Sequence, residues 1–243
     1  MAEGGYSGRL VIDPVVRIEG HLRITLDVRD GRVADARSSA TLFRGIETIL
    51  KGRDPRDAPL LTQRVCGVCT NVHALVSTLA LEDAVGVTPP PAARAIRRLI
   101  HGAQLLHDHI VHFYHLHGLD WVNAAAALEA DVGRAYREAS NGPHRNITRA
   151  QLADTRDKIR RVVDSGRLGI FQNAYFLDGP AAYRLSPEQN LIVMSNYFRA
   201  LELQRLIGRA QAIFGAKNPH SQTLVVGGVT CHEALAEAVS YTH

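Results

Sequence analysis

Leu22, Ile24, Leu26 and Val28 alternate with polar residues, the period of a strand with one covered face. The same alternation shows in places across the wider stretch Leu10–Asp27. Arg29-Asp30-Gly31-Arg32 follows, then a second run from Val33 to Leu42. Asp-Gly between two such runs marks a hairpin, so a small antiparallel sheet is expected here. Arg44–Lys51 reads as a short helix, ended by Gly52 and Pro55.

The period then changes. Val72–Val85 carries apolar residues at helical spacing and stops at Gly86. Pro91 is well placed as a first helical residue, and Ala92–Leu116 is expected to run as one long central helix. Trp121–Tyr136 is expected to be a further helix, before a break at Asn141-Gly142-Pro143. Thr148 opens a more polar helix to Val163, closed by Gly166. Ser186-Pro187-Glu188 gives an N-cap and a proline at the first turn of a helix through about Phe214. Gly215–Gly228 reads as loop, and another helix begins shortly before the sequence closes at His243. The expected fold is mainly α, a helical bundle core with a small amino-terminal antiparallel sheet. We expect a single domain over residues 1–243, β-rich over 1–43 and helical over 44–243.

Composition narrows the function classes. The charge of +4 is spread along the chain and has no aromatic-interleaved basic run, which argues against nucleic acid as a partner. Residues 1–8 lack the apolar core of a signal peptide, and no stretch reaches the roughly 20 apolar residues of a membrane span. Maturation in the cytoplasm is therefore expected. Three cysteines, two of them close together, do not make a disulfide framework. Of the twelve histidines, seven fall between His73 and His117, where a metal cage or proton route competes with ordinary buried or interface roles. The ordinary roles are favoured for His109, His112, His115 and His117.

The strongest local signal is Arg64-Val65-Cys66-Gly67-Val68-Cys69-Thr70-Asn71-Val72-His73. Two thiols three residues apart can grip one late transition metal, and His73 stands about one helical turn beyond Cys69. A thioredoxin-type redox pair and half of a structural zinc site fit the same spacing equally well. In Arg17-Ile18-Glu19-Gly20-His21, a buried Glu19 beside a metal would suit proton transfer, whereas on local grounds an exposed strand-end glutamate is favoured.

Taken together, these segments resemble the large subunit of nickel–iron hydrogenases. The resemblance is carried by Asp13-Pro14-Val15-Val16-Arg17-Ile18-Glu19-Gly20-His21, by Phe43-Arg44-Gly45-Ile46-Glu47 and by the Cys66–His73 motif. It continues through His107-Asp108-His109-x-x-His112-Phe113-Tyr114-His115-x-His117-x-x-Asp120-Trp121. It returns in Gly169-Ile170-Phe171-x-Asn173-Ala174-Tyr175 and in Phe214-Gly215-Ala216-Lys217-Asn218-Pro219-His220. The extent of the match overturns the local preferences at the Cys pair and at Glu19.

The resemblance implies an oxidoreductase that splits dihydrogen heterolytically and reversibly at a Ni–Fe centre whose iron carries CO and cyanide. Cys66 matches a terminal nickel thiolate, and Cys69 a thiolate bridging nickel and iron. Glu19 matches a proton gate, and Asp108 a carboxylate in the outer canopy over the metals. His73 matches a donor to the bridging sulfur. His220 lies in the segment that approaches the partner's proximal iron–sulfur cluster, and Glu47 matches a magnesium ligand. Val16 departs from the expected threonine before Arg17. The implied partners are an iron–sulfur small subunit, which alone holds the clusters, a redox partner such as a cytochrome, and dihydrogen and protons as substrates.

Family members are longer and end in Asp-Pro-Cys-x-x-Cys-x-x-His, which supplies the remaining nickel thiolates. Nothing here matches that motif, and Cys231 reads as structural. We therefore expect the sequence to be a piece of a longer protein that does not fold alone, with a true truncation as the second choice. The alternatives are a truncated, non-catalytic partner-binding subunit and a quinone module like that of respiratory complex I. The two cysteines argue against the quinone module. A periplasmic or membrane-associated location, reached through the small subunit's signal, is expected over a cytoplasmic one.

Overall fold

The computed structural model describes residues 5–40, 42–171 and 183–231. The expected class holds: mainly α, with a small amino-terminal antiparallel sheet. The chain divides into two compact units, Met1–His101 with Phe214–His243, and Gly102–Ile213.

In the first unit, β1 (Gly8–Val15), β2 (Leu22–Arg29) and β3 (Arg32–Ala40) form an antiparallel sheet in sequential order. The expected Asp30-Gly31 turn joins β2 to β3, with both residues at positive φ. The β1–β2 register slips between Ile12 and Val15. Short helices α1 (Ile46–Ile49) and α2 (Ala58–Thr62) lead through a 3₁₀ turn, Gln63–Val65, to the first cysteine. Helix α3 spans Val72–Val85, as its period predicts, and Gly86 ends it in the left-handed region.

The buried face of α3 is nevertheless Ala74, Thr78 and Glu82, while Val76, Leu79 and Val85 are exposed. The reason is a buried ion pair. Arg97 of α4 (Pro91–Ile110) donates to both Glu82 carboxylate oxygens at 2.6 and 2.9 Å. It also donates to the carbonyls of Val225 and Gly228. These belong to β4 (Leu224–Val225) and β5 (Gly228–Val229), and Gly227 at their turn donates its N–H to Glu82 at 2.7 Å. Each charge is thus compensated, as two buried ions require.

In the second unit, the long helix expected to reach Leu116 leaves α geometry at Ile110 and continues as a π-helix, Val111–His117. π-segments of this kind often mark functional sites. Helix α5 (Gly118–Trp121) follows. The helix expected over Trp121–Tyr136 is broken: a 3₁₀ turn takes Ala126–Glu129, and α6 starts afresh at Val132–Asn141. Two side chains cause the break. Asn123 accepts from the Ala125 and Ala126 N–H groups, and Asp131 caps α6 by accepting from Arg134 N. Helix α7 (Arg149–Asp164) opens with a capping box between Thr148 and Gln151. Ser186 and Gln189 make the same reciprocal pair at the start of α8 (Pro187–Gly215). Leu152, Ile159, Leu191 and Met194 lie at the centre of this unit's core. Asn173-Ala174-Tyr175 and the helix expected near the end of the sequence lie outside the described residues. No described helix is long and apolar enough to cross a membrane.

Candidate metal centre

Two loops of the first unit build the site. One joins β1 to β2 and is tied at its base. Asp13 accepts from His21 Nε2 at 2.9 Å and from Arg23 Nε at 2.6 Å. The Arg23 guanidinium, aided by His21, holds the Asp13 carboxyl below the ordinary carboxylate range. Above that base Arg17 takes φ +66, a sparsely populated region for a side-chain-bearing residue, and the loop presents Glu19.

The other loop runs from Cys66 to Asn71. Cys66 takes an extended conformation after the 3₁₀ turn (φ −136°, ψ 134°), and the Cys69 N–H donates to its sulfur at 3.1 Å. Neither thiol is in a disulfide, and both are half-buried. Segment 218–221 grips this loop. His220 hydrogen-bonds the Cys66 carbonyl at 3.0 Å, and Thr70 Oγ1 donates to Asn218 Oδ1 at 3.1 Å. The Ser221 hydroxyl and N–H both donate to the buried Asn71 Oδ1.

The two loops meet at three side chains. Glu19, Cys66 and Cys69 each place one ligand atom within 4.8 Å of the other two. The Cys66 sulfur donates to Glu19 Oε2 at 3.7 Å. Glu19 is exposed, as its local sequence favours, and not the buried carboxylate that the resemblance led us to expect. The remaining predicted site residues are not in this group. His73 lies in the first turn of α3, where its carbonyl accepts from Thr62 Oγ1. Glu47 is exposed on α1. Asp108 belongs to the second unit. It accepts there from Gln104 Nε2, whose own carboxamide oxygen accepts from Gln211.

The donor set suits a soft metal. Two thiols and a carboxylate converge without a disulfide, and a backbone N–H is already directed at one sulfur. Thiolates select late transition metals, and the third donor is hard and acidic, suited to moving a proton.

Comparison with known proteins supplies the family. The profile of nickel-dependent hydrogenases matches residues 44–242, and a HoxL-like profile matches residues 9–43. The chain belongs to the nickel-dependent hydrogenase family. It is 52% identical over 225 residues to the quinone-reactive Ni/Fe-hydrogenase large chain of Wolinella succinogenes, covering 91% of this chain and 39% of that one. The uptake hydrogenase large subunit of Rhodobacter capsulatus is 47% identical over 92% of this chain and 37% of its own length. Among solved structures, the Ni-Fe-Se hydrogenase of D. vulgaris Hildenborough in its reduced state superposes with a TM-score of 0.63 at 37% identity. The match covers 96% of this chain and 40% of that one. The chain thus spans about two fifths of the length of these hydrogenase relatives.

Sequence reasoning found the three converging residues and missed what holds them. Asp13 and His21 lie inside a quoted motif and Arg23 two residues beyond it, but nothing in that motif marks their contact. The contact between His220 and Cys66 spans 154 residues and leaves no periodic trace in the sequence.

Proposed function

We propose that the chain contributes the first cysteine pair and the proton-accepting carboxylate of a hydrogenase large subunit. The observation that supports this reading is the convergence of Glu19, Cys66 and Cys69 in a chain of the nickel-dependent hydrogenase family. Cys66 and Cys69 would hold the Ni–Fe centre, Cys66 as a terminal nickel ligand and Cys69 as the bridge to iron. Heterolytic cleavage of dihydrogen is the chemistry such a centre supplies when bound. Within this chain, the Cys66 sulfur carries the proton and donates it to Glu19 Oε2, which already faces it at 3.7 Å. Glu19 stands at the solvent side of the group, so it can release the proton outward.

Asp108 is proposed as a canopy carboxylate and Glu47 as a magnesium ligand. His73 is proposed as a donor to the bridging sulfur, and His220 as part of the face toward an iron–sulfur small subunit. CO and cyanide on the iron, clusters confined to the partner and a periplasmic or membrane-associated location belong to the same proposal. The quinone-reactive relative favours a quinone-linked electron acceptor. The deciding experiment is hydrogen-dependent reduction of a viologen dye by the purified holoenzyme. Reduction that is lost in Cys66→Ala supports the proposal, and a nickel-loaded holoenzyme that never reduces the dye contradicts it.

A further inference from the structure

We infer that His220 is a positioning residue for the metal site, acting through the backbone of Cys66. This rests on the reading of Cys66 as a nickel ligand. The His220 ring is used at both nitrogens. Arg64 NH1 lies 3.0 Å from Nδ1, and the Cys66 carbonyl lies 3.0 Å from Nε2. A guanidinium only donates and a carbonyl only accepts, so the arrangement admits one form of the ring: neutral, with Nδ1 accepting and the proton on Nε2. The ring becomes a rigid strut between the residue two positions before the cysteine and the cysteine's own peptide.

Three further observations fit a strut better than a chance contact. His220 holds φ +65, a conformation that needs the surrounding structure to impose it. Arg64 is itself anchored, its carbonyl accepting from Arg44 NH1 at 3.3 Å. The same segment grips the far end of the cysteine turn, through Asn218 to Thr70 and Ser221 to Asn71. The turn is therefore clamped on both sides of its two sulfurs. A carbonyl held in direction restrains the peptide that follows Cys66, and with it the backbone that carries both sulfurs. Outer partners that orient a ligand in this way tune how firmly the metal is held.

The test uses the intact holoenzyme with the variants H220F, H220Q and K217A. Phenylalanine keeps the bulk and loses both hydrogen bonds. Glutamine can donate to the carbonyl and accept from Arg64. Lys217 is an exposed neighbour in the same segment. Two quantities are read: nickel retained under chelator challenge with its EPR spectrum, and, in the metal-free protein, the rate at which iodoacetamide alkylates Cys66. H220F is expected to hold nickel roughly 10- to 100-fold more weakly. Its nickel g-values should shift and Cys66 should alkylate faster, with H220Q restoring all three and K217A leaving them unchanged. H220F with wild-type nickel retention, spectrum and alkylation rate overturns the inference. So does H220Q behaving like H220F, since the two hydrogen bonds would then not be what matters. If H220F fails to assemble, H220Q decides alone, supporting the strut with a wild-type spectrum and overturning it with a displaced one. Wild-type holoenzyme without nickel but with this alkylation pattern would sink the nickel assignment and leave the positioning of Cys66 standing.

Discussion

The carboxylate of Glu19 accepts from the sulfur of Cys66 across 3.7 Å, although the two residues lie 47 positions apart and on different loops. On the roles proposed above, that contact separates holding the metal from moving the proton. Glu19→Gln removes the proton acceptor and leaves both thiols in place. Nickel content should stay at the wild-type level, while hydrogen–deuterium exchange with water falls by about 10²- to 10⁴-fold, the usual contribution of a positioned acid–base group. Full exchange in the variant would refute the role.

The buried Glu82–Arg97 pair should be the most sensitive point of the first unit. Glu82→Gln leaves a buried guanidinium without its counter-charge and should cost about 3–5 kcal/mol in denaturant unfolding. A loss under 1 kcal/mol would show that the carbonyls of Val225 and Gly228 suffice for Arg97.

Acid should weaken both units, over different pH windows. The hydrogen bonds from Arg97 lower the pKa of Glu82. Its contribution is therefore complete above the unfolded value near 4.3 and is lost as pH falls through the lower folded value. In the second unit, burial lowers the pKa of His115, whose ring lies between Gln204 and the Tyr197 carbonyl. That contribution is complete above about 6.5 and fades as pH falls below it. Thermal melting from pH 8 to pH 3 should show a first decline below about 6.5 that His115→Gln removes. A melting temperature independent of pH from 8 to 5 would contradict the His115 assignment.

Two substitutions test the grip of segment 218–221. A Cβ on Gly215 would stand 2.2 Å from Ser221 Oγ, so Gly215→Ala should drive that hydroxyl off Asn71 and cost about 1–3 kcal/mol. Asn71→Ala strands the Ser221 hydroxyl and N–H and should cost a similar amount, about 1–3 kcal/mol. Because both act on one contact, the double variant should fall short of the sum, and strict additivity would separate them.

The sequence shows most of the elements through local marks, whereas the role of Glu19 came only with the family resemblance. Val72–Val85 has a helical period and a closing Gly86, Thr148 and Ser186 carry cap chemistry, and Cys66 and Cys69 sit at metal spacing. The misses come where a side chain competes with the backbone or where a partner lies far along the chain. Asn123 and Asp131 break the expected Trp121–Tyr136 helix, and either residue read as a cap would have divided it. The burial of Arg97 left a trace as well. Ala93, Arg97, Ile100 and Gln104 form one buried stripe on α4, and a charge on such a stripe calls for a buried counter-charge. Its partner Glu82 follows Ala74 and Thr78 at four-residue steps on the buried face of α3. The approach of Glu19 to Cys66 and the strut from His220 depend on loops whose shape no period encodes.

On the proposed function, Cys66 and Cys69 together hold nickel. Metal analysis of purified holoenzyme, comparing wild type with Cys66→Ala and Cys69→Ala, tests it most directly. Stoichiometric nickel is expected in the wild type, with its loss from both variants while the protein stays folded. Nickel retained at the wild-type level after both cysteines are replaced would contradict it.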